Sequence, residues 1–460
     1  MKHYFLGIDI GTTTTHALVA HAELAKNCVT GRKEFTRSQV IYRSPLVFTP
    51  FQVRRINETK LTEILNEWRG QAGLHEEEWV GGGAIVTGLA AQSDNAERIR
   101  SFIRTNWGDD FVVAVADPRL ESWVSFMGSV ERISLAHPDV TFFHLDIGGG
   151  TTNSAIGRNG QVQRTASHFI GARHFEFVPG TYQLTACSVY GEKILGAIGR
   201  TARLGETVSQ STVREIVKCY VDLLEALVSG KSTPLLREFE QAALPRHSPV
   251  DAVTFSGGVG ELIYSFSSEG RTPYGDLGVE LADGIRRSRV LSTSLSKYTP
   301  DSLGRATVMG MAIFTADLSG TTSFIPDPEW LPLRDVPILG ELGEGIDAAG
   351  RDLIERALST VSGAAIRVRV NAGELAIVQR LGQELANCFR GMGPGQQVNP
   401  LVLLVDSNVG KTLGELATDW RRIAVKLLVI DEVPDRMAQF VRLGKLKEGV
   451  VPVTFYGMGN

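Results

Sequence analysis

Apolar residues at the start of the chain come in two blocks split by a polar turn. Tyr4–Ile10 is mostly apolar, Gly11-Thr12-Thr13 interrupts it, and Thr14–Ala20 resumes it. Blocks this short, bounded by glycine and hydroxyl residues, predict a buried strand and its antiparallel return. Helical spacing follows over 61–71 and 90–106, with strand signals at 84–87 and 111–116. Residues 118–128 open on a proline and close on a glycine, the punctuation of a helix. Thr141–Ile147 is a second buried strand with its return at 152–157, and a third strand, 252–255, runs into Ser256-Gly257-Gly258 and a further helix.

One repeat organises this pattern. Phe5-Leu6-Gly7-Ile8-Asp9-Ile10-Gly11-Thr12-Thr13 is echoed by Phe143-His144-Leu145-Asp146-Ile147-Gly148-Gly149-Gly150-Thr151-Thr152. Each copy reads apolar strand, Asp, Ile, Gly, hydroxyl cluster, second strand. Self-similarity of this kind implies two related lobes, here about 1–140 and 141–320. Past Gly320 the texture changes: Pro326, Pro328, Pro332 and Pro337, then Gly340, Gly343 and Gly345, predict a linker over 321–345. Strand signals at 365–370, 401–405, 426–430 and 450–455, with helices near 373–387 and 410–419, then predict a smaller α/β domain over 346–460.

Composition narrows the partners. A formal net charge of -4 gives no electrostatic case for nucleic acid. No apolar run approaches the roughly 20 residues of a membrane span, and the N-terminus reaches Asp9 before a signal-peptide core can form. Cys28, Cys187, Cys219 and Cys388 show no C-x-x-C spacing, which fits a reducing cytoplasm. Oligomeric state leaves no trace in the pattern.

The chemistry sits at the turns. A strand that bends at glycine bares consecutive backbone N–H groups and lets a phosphate approach closely. Gly11, Thr12 and Thr13 supply such donors in the first copy; Gly148, Gly149, Gly150, Thr151 and Thr152 supply them in the second. Asp9 and Asp146, at the two strand ends, offer carboxylates to Mg²⁺, through water because that ion sheds its hydration reluctantly. One copy alone is equally an ordinary hairpin turn; two copies suit a polyphosphate gripped from both sides. Gly257 and Gly258, at a strand-to-helix turn, let a ligand lie on bare backbone.

The order of first turn, connecting helix, second turn, Gly-Gly motif and the small-residue helix Ala306-Thr307-Val308-Met309-Gly310-Met311-Ala312 resembles the actin/Hsp70/sugar-kinase ATPase superfamily over about residues 1–320. The resemblance implies an α/β fold of two ribonuclease-H-like lobes, ATP with Mg²⁺ as cofactor, an adenosine loop at Ser256–Gly260, and Gly310 at the nucleotide. It also implies an acid at the start of the connecting helix to position the attacking water: Glu121, with Asp117 competing. The match is closer to the EutA family of ethanolamine utilisation proteins, carried by Gly7–Thr15, Leu145–Asn153 and Ser256–Glu261 and continued by Leu331-Pro332-Leu333-Arg334, Gly410-Lys411, Val429–Val433 and Val450–Thr454. That family implies an ATP-dependent reactivating factor whose partner is adenosylcobalamin-dependent ethanolamine ammonia-lyase, in a cytoplasm where a bacterial microcompartment is the associated structure. A small-molecule kinase and an actin-like scaffold are the alternative activities of the fold.

Two further motifs are set aside. Val409-Gly410-Lys411-Thr412 lacks the earlier glycine of a phosphate loop, since Val405 occupies that position. His144 sits in a strand beside Asp146 and is read as a core histidine, and the nine histidines show no metal-ligand spacing.

Overall fold

The computed structural model describes residues 2–11, 13–26, 33–52, 55–73, 79–91, 93–107, 112–115, 117–245, 247–265, 274–313, 317–360, 363–370, 375–390, 400–434, 436 and 438–458. The first sheet contains β1 (Lys2–Ile10), β2 (Thr14–Lys26), β3 (Lys33–Arg43), β4 (Trp79–Val86) and β5 (Val112–Val115) in the order β3-β2-β1-β4-β5. β1 runs antiparallel to β2 and parallel to β4. The second contains β6 (Thr141–Ile147), β7 (Thr152–Arg158), β8 (Gln161–His168), β9 (Glu240–Ala242) and β10 (Ala252–Ser256) in the order β9-β8-β7-β6-β10, with β6 antiparallel to β7 and parallel to β10. The two plans coincide down to register: Asp9 faces His16 as Asp146 faces Asn153. This doubling gives the two related lobes that the sequence repeat predicts.

β1 lacks polar alternation because both its faces are covered. Leu6, Ile8 and Ile10 join Leu61, Leu65, Trp68, Ile99 and Ile103, while Phe5 packs with Leu18, Val308 and Ala312. Behind the strands, α1 (Pro118–Ser129) crosses α2 (Ala306–Ile313) at backbone contact. A Cβ on Gly128 would collide with Ala306 O, and one on Gly310 with Val124 O. The single helix expected over 90–106 is divided into Gly88–Ala91 and Ala96–Trp107. Asn95 accounts for the break: its side chain accepts from Ile56 N (3.0 Å) and donates to Ile56 O (2.8 Å), a bond set that draws it out of a helix interior.

The third sheet corrects the linker. Residues 333–342, inside the stretch read as a spacer, form β12, after β11 (Asp317–Leu318). It is joined by β13 (Ala364–Val368), β14 (Leu401–Val405), β15 (Leu427–Ile430), β16 (Ala438–Leu443) and β17 (Pro452–Met458) in the order β11-β17-β16-β12-β13-β14-β15. Proline is tolerated because the register shifts on both sides of Pro337, between Leu333 and Val336 and between Ile338 and Glu341. No helix among the described residues is long and apolar enough to cross a membrane.

The second lobe buries histidines. His144 is bonded to Thr254 Oγ1 (3.0 Å), Ser129 Oγ (3.1 Å) and Ser256 Oγ (2.8 Å), the satisfied core residue expected. Burial pushes His168 and His174 down to about 4. Below an ordinary pKa of about 6.5 the unfolded chain takes up protons that these folded imidazoles refuse. Their contribution to stability is therefore whole above that pH and is lost as pH falls toward 4. Imidazole ¹⁵N shifts should show both residues neutral at about pH 5.5, where an ordinary histidine is mostly charged; a midpoint above about 6 for either contradicts this burial.

Candidate functional site

Both repeat copies close their turns with the same hydrogen bond: Gly11 N donates to Thr14 O and Gly148 N to Thr151 O, each at 2.9 Å. The turns meet across the gap between the lobes. A Cβ on Gly149 would strike Thr13 Oγ1, which is buried without a hydrogen-bond partner among the described residues. Gly257 holds φ +79, and a Cβ there would also meet Asp146 and the Ile147 carbonyl, while Gly258 has nothing within 4 Å and leaves its backbone bare. Together these segments line a cleft of about 650 Å³, within the usual range for a bound small molecule.

Asp9, Asp146 and Glu121 all face this cleft. Burial, then the Asp146 charge, pushes Asp9 up to about 7. Burial pushes Asp146 up to about 6, against hydrogen bonds from Thr307 and Ser256 that favour its anion. Glu121 is held well above the carboxylate range by burial and then by Asp9 and Asp146. Three buried acids in one cleft, Asp146 raising Asp9 and both raising Glu121, favour a cation. Among the described residues no three acidic, histidine or cysteine side chains converge closely enough to hold a metal alone. An ion held here would need most of its oxygens from water and from an anionic ligand. The orphaned Thr13 hydroxyl and the bare amides beside it suit such a ligand.

Gly11, Thr13, Gly148, Gly149, Gly150, Thr151, Gly257 and Gly258 line the cleft with the three acids. Thr12 lies outside the described residues. Thr152 is a correction: it is buried and its hydroxyl donates to Ile170 O (2.7 Å), fastening the turn instead of facing the ligand. Gly310 is another. It does not line the cleft but lets α2 touch α1. Asp117 is spent on backbone amides, accepting from Leu120 N (3.0 Å) and Gly457 N (2.9 Å). The cleft also uses residues that sequence reasoning passed over. Thr307 donates to Asp146 Oδ2 (2.9 Å) and Thr87 to Asp9 Oδ1 (3.4 Å). Arg173 N donates to Gly149 O (2.6 Å) and holds the second turn, while its guanidinium pairs with Glu176 (3.2 Å). His16 and Asn153 were findable, since each sits opposite a repeat aspartate in the register.

The Gly410-Lys411 stretch begins a helix whose N-terminus is already occupied. Asp431, fully buried, accepts from Gly410 N (3.0 Å), Thr322 Oγ1 (2.6 Å) and Ser323 Oγ (2.8 Å). A resident carboxylate stands where a phosphate would bind, and Lys411 is exposed.

The family model described as ethanolamine utilisation protein EutA matches residues 2–458. A protein of Salmonella typhimurium (strain LT2), named ethanolamine ammonia-lyase reactivase EutA, is 28% identical over 463 residues, covering 98% of this chain and 97% of its own. One of the same name from Escherichia coli (strain K12) is 28% identical over 465 residues with the same coverage. Among solved structures, the Aquifex aeolicus PPX-GPPA enzyme is similar at 16% identity and TM-score 0.37, over 57% of this chain and 71% of that one.

Proposed function

Because the chain belongs to the ethanolamine utilisation protein EutA family, we propose that it is an ATP-dependent reactivating factor for adenosylcobalamin-dependent ethanolamine ammonia-lyase, releasing damaged cobalamin so that intact cofactor can enter. The observation that carries the ATP part is the convergence of Asp9, Asp146 and Glu121 on one cleft between paired glycine turns. The turn amides and the Thr13 hydroxyl hold the phosphates. Asp9 and Asp146 fix the water shell of magnesium, which when bound neutralises charge on the transferring phosphoryl group. Thr307 and Thr87 hold those two carboxylates in place. Glu121, freed of its proton as positive charge enters the cleft, orients the attacking water.

The two lobes close on ATP and relax after hydrolysis. A lyase that binds the two states with different affinity is biased by that difference and by nothing else. The protein thus acts beside the lyase, in the cytoplasm or in a microcompartment that holds it.

The test mixes the full-length protein with cyanocobalamin-inactivated lyase, ATP, Mg²⁺ and adenosylcobalamin. Lyase activity should return with ATP and not with a nonhydrolysable analogue. No recovery from a lyase shown competent before inactivation removes the assignment.

A further inference from the structure

Asp117 divides its carboxylate between distant parts of the chain. Oδ1 accepts from Leu120 N (3.0 Å) and caps α1; Oδ2 accepts from Gly457 N (2.9 Å) on β17. Its carbonyl accepts from Glu121 N (3.0 Å), so the cleft acid hangs from the first hydrogen bond of the helix that Asp117 begins. The other face of α1 is packed against the third sheet. Leu120 and Val124 share a buried cluster with Ile85, Met311 and Tyr456, with Trp123 and Phe440 against it. The Arg436 guanidinium lies 4.3 Å from the centre of the Trp123 ring and pairs with Asp317 at 2.8 Å. The companion helix α2 sends Thr307 to Asp146, and β11, just beyond it, pairs with β17 through Asp317 and Val453. Two cleft carboxylates are thus each one helix away from the same sheet.

We propose that Asp117 is a positioning residue, tying Glu121 to β17 so that the third sheet feels the state of the cleft and sets the place of its acid. When the lobes close on a nucleotide, the start of α1 moves with Glu121, and Asp117 carries the shift to Gly457. A rigid helix packed on both sides passes such a displacement on instead of absorbing it. Movement imposed on the third sheet by a partner returns by the same route, since coupling between two sites is reciprocal. The inference rests on the reading that the cleft holds ATP.

Asp117→Asn isolates the link. Its one oxygen still caps Leu120 N, but its amide turns a donor toward the Gly457 donor. In the full-length protein kcat for ATP hydrolysis should fall about tenfold, with KM for ATP within about threefold of the unmodified value. Hydrogen exchange over 452–458, slowed by a nonhydrolysable ATP analogue in the unmodified protein, should no longer respond to it. Asp117→Ser keeps one oxygen for Leu120 N and removes the acceptor of Gly457 N. It should give the same split, and it decides the question should the first variant fail to fold. Unmodified protein that hydrolyses ATP with no change at 452–458, or variants with unaltered kcat and exchange response, overturn this inference alone. Unmodified protein that binds no ATP overturns the proposed function and this inference with it.

Discussion

Asp146→Ala is expected to lower ATP hydrolysis by about a thousandfold or more while leaving the protein no less stable to heat. The two halves of this result have one cause. Asp146 is buried beside Asp9 and Glu121, and the charges of Asp9 and Asp146 raise Glu121. Its anion is unfavourable in the ligand-free fold and becomes useful only when a cation is present. Alanine removes a buried carboxylate and a repulsive neighbour. The cost is the acceptor of the hydroxyl bonds from Thr307 and Ser256, about 1 kcal/mol each. Sites that oppose stability and serve chemistry behave this way. Phosphate release and a thermal melt in the same buffer measure both halves. Full turnover in the variant refutes the role given to Asp146. Lost turnover with a collapsed melting temperature refutes the claim that the carboxylate works against the fold.

Gly310→Val should have the largest effect on folding. The collision at Gly310 is with the backbone of Val124, which no side-chain rotation relieves. The two helices must separate or the crossing must open, and Gly128 has the same contact from the other side. A destabilisation of about 3 kcal/mol or more is expected, read as a lower urea midpoint at unchanged slope. Turnover should fall with it, because α1 carries Glu121 and α2 carries Thr307. An unchanged midpoint for the milder Gly310→Ala would show that the crossing is looser than its geometry requires.

Gly310 also shows where sequence reading stops. A glycine in a helix of small residues signals close approach, but the signal is the same whether a ligand or another helix approaches. Here it is a helix. Gly257 was legible because its chemistry is local: strand, positive φ and open cleft follow one another within a few residues. The doubled turns were legible for the same reason, and their repetition gave away the two lobes. Thr152 was misplaced because hydroxyls on adjacent residues of a strand point to opposite faces, and the pattern does not say which face is wet. The strand 333–342 was hidden by Pro337, since bulges on either side that accommodate a proline depend on partners elsewhere in the sheet. Asp117 and Gly457 are 340 residues apart in sequence; no spacing rule reaches that far. Asp117 and Glu121, both candidates by sequence, differ in placement: the first is occupied by backbone amides and the second faces the cleft.

Asp431 has a consequence for the labour within the chain. By seating its own carboxylate on the helix that starts at Gly410, the third sheet has plugged a turn whose sequence resembles that of a nucleotide binder. The plug also staples residues 322 and 323 to the strand end at 431. With its helix start filled in this way, the turn at Gly410 has no room for a phosphate, and such an anion fits instead between the paired glycine turns.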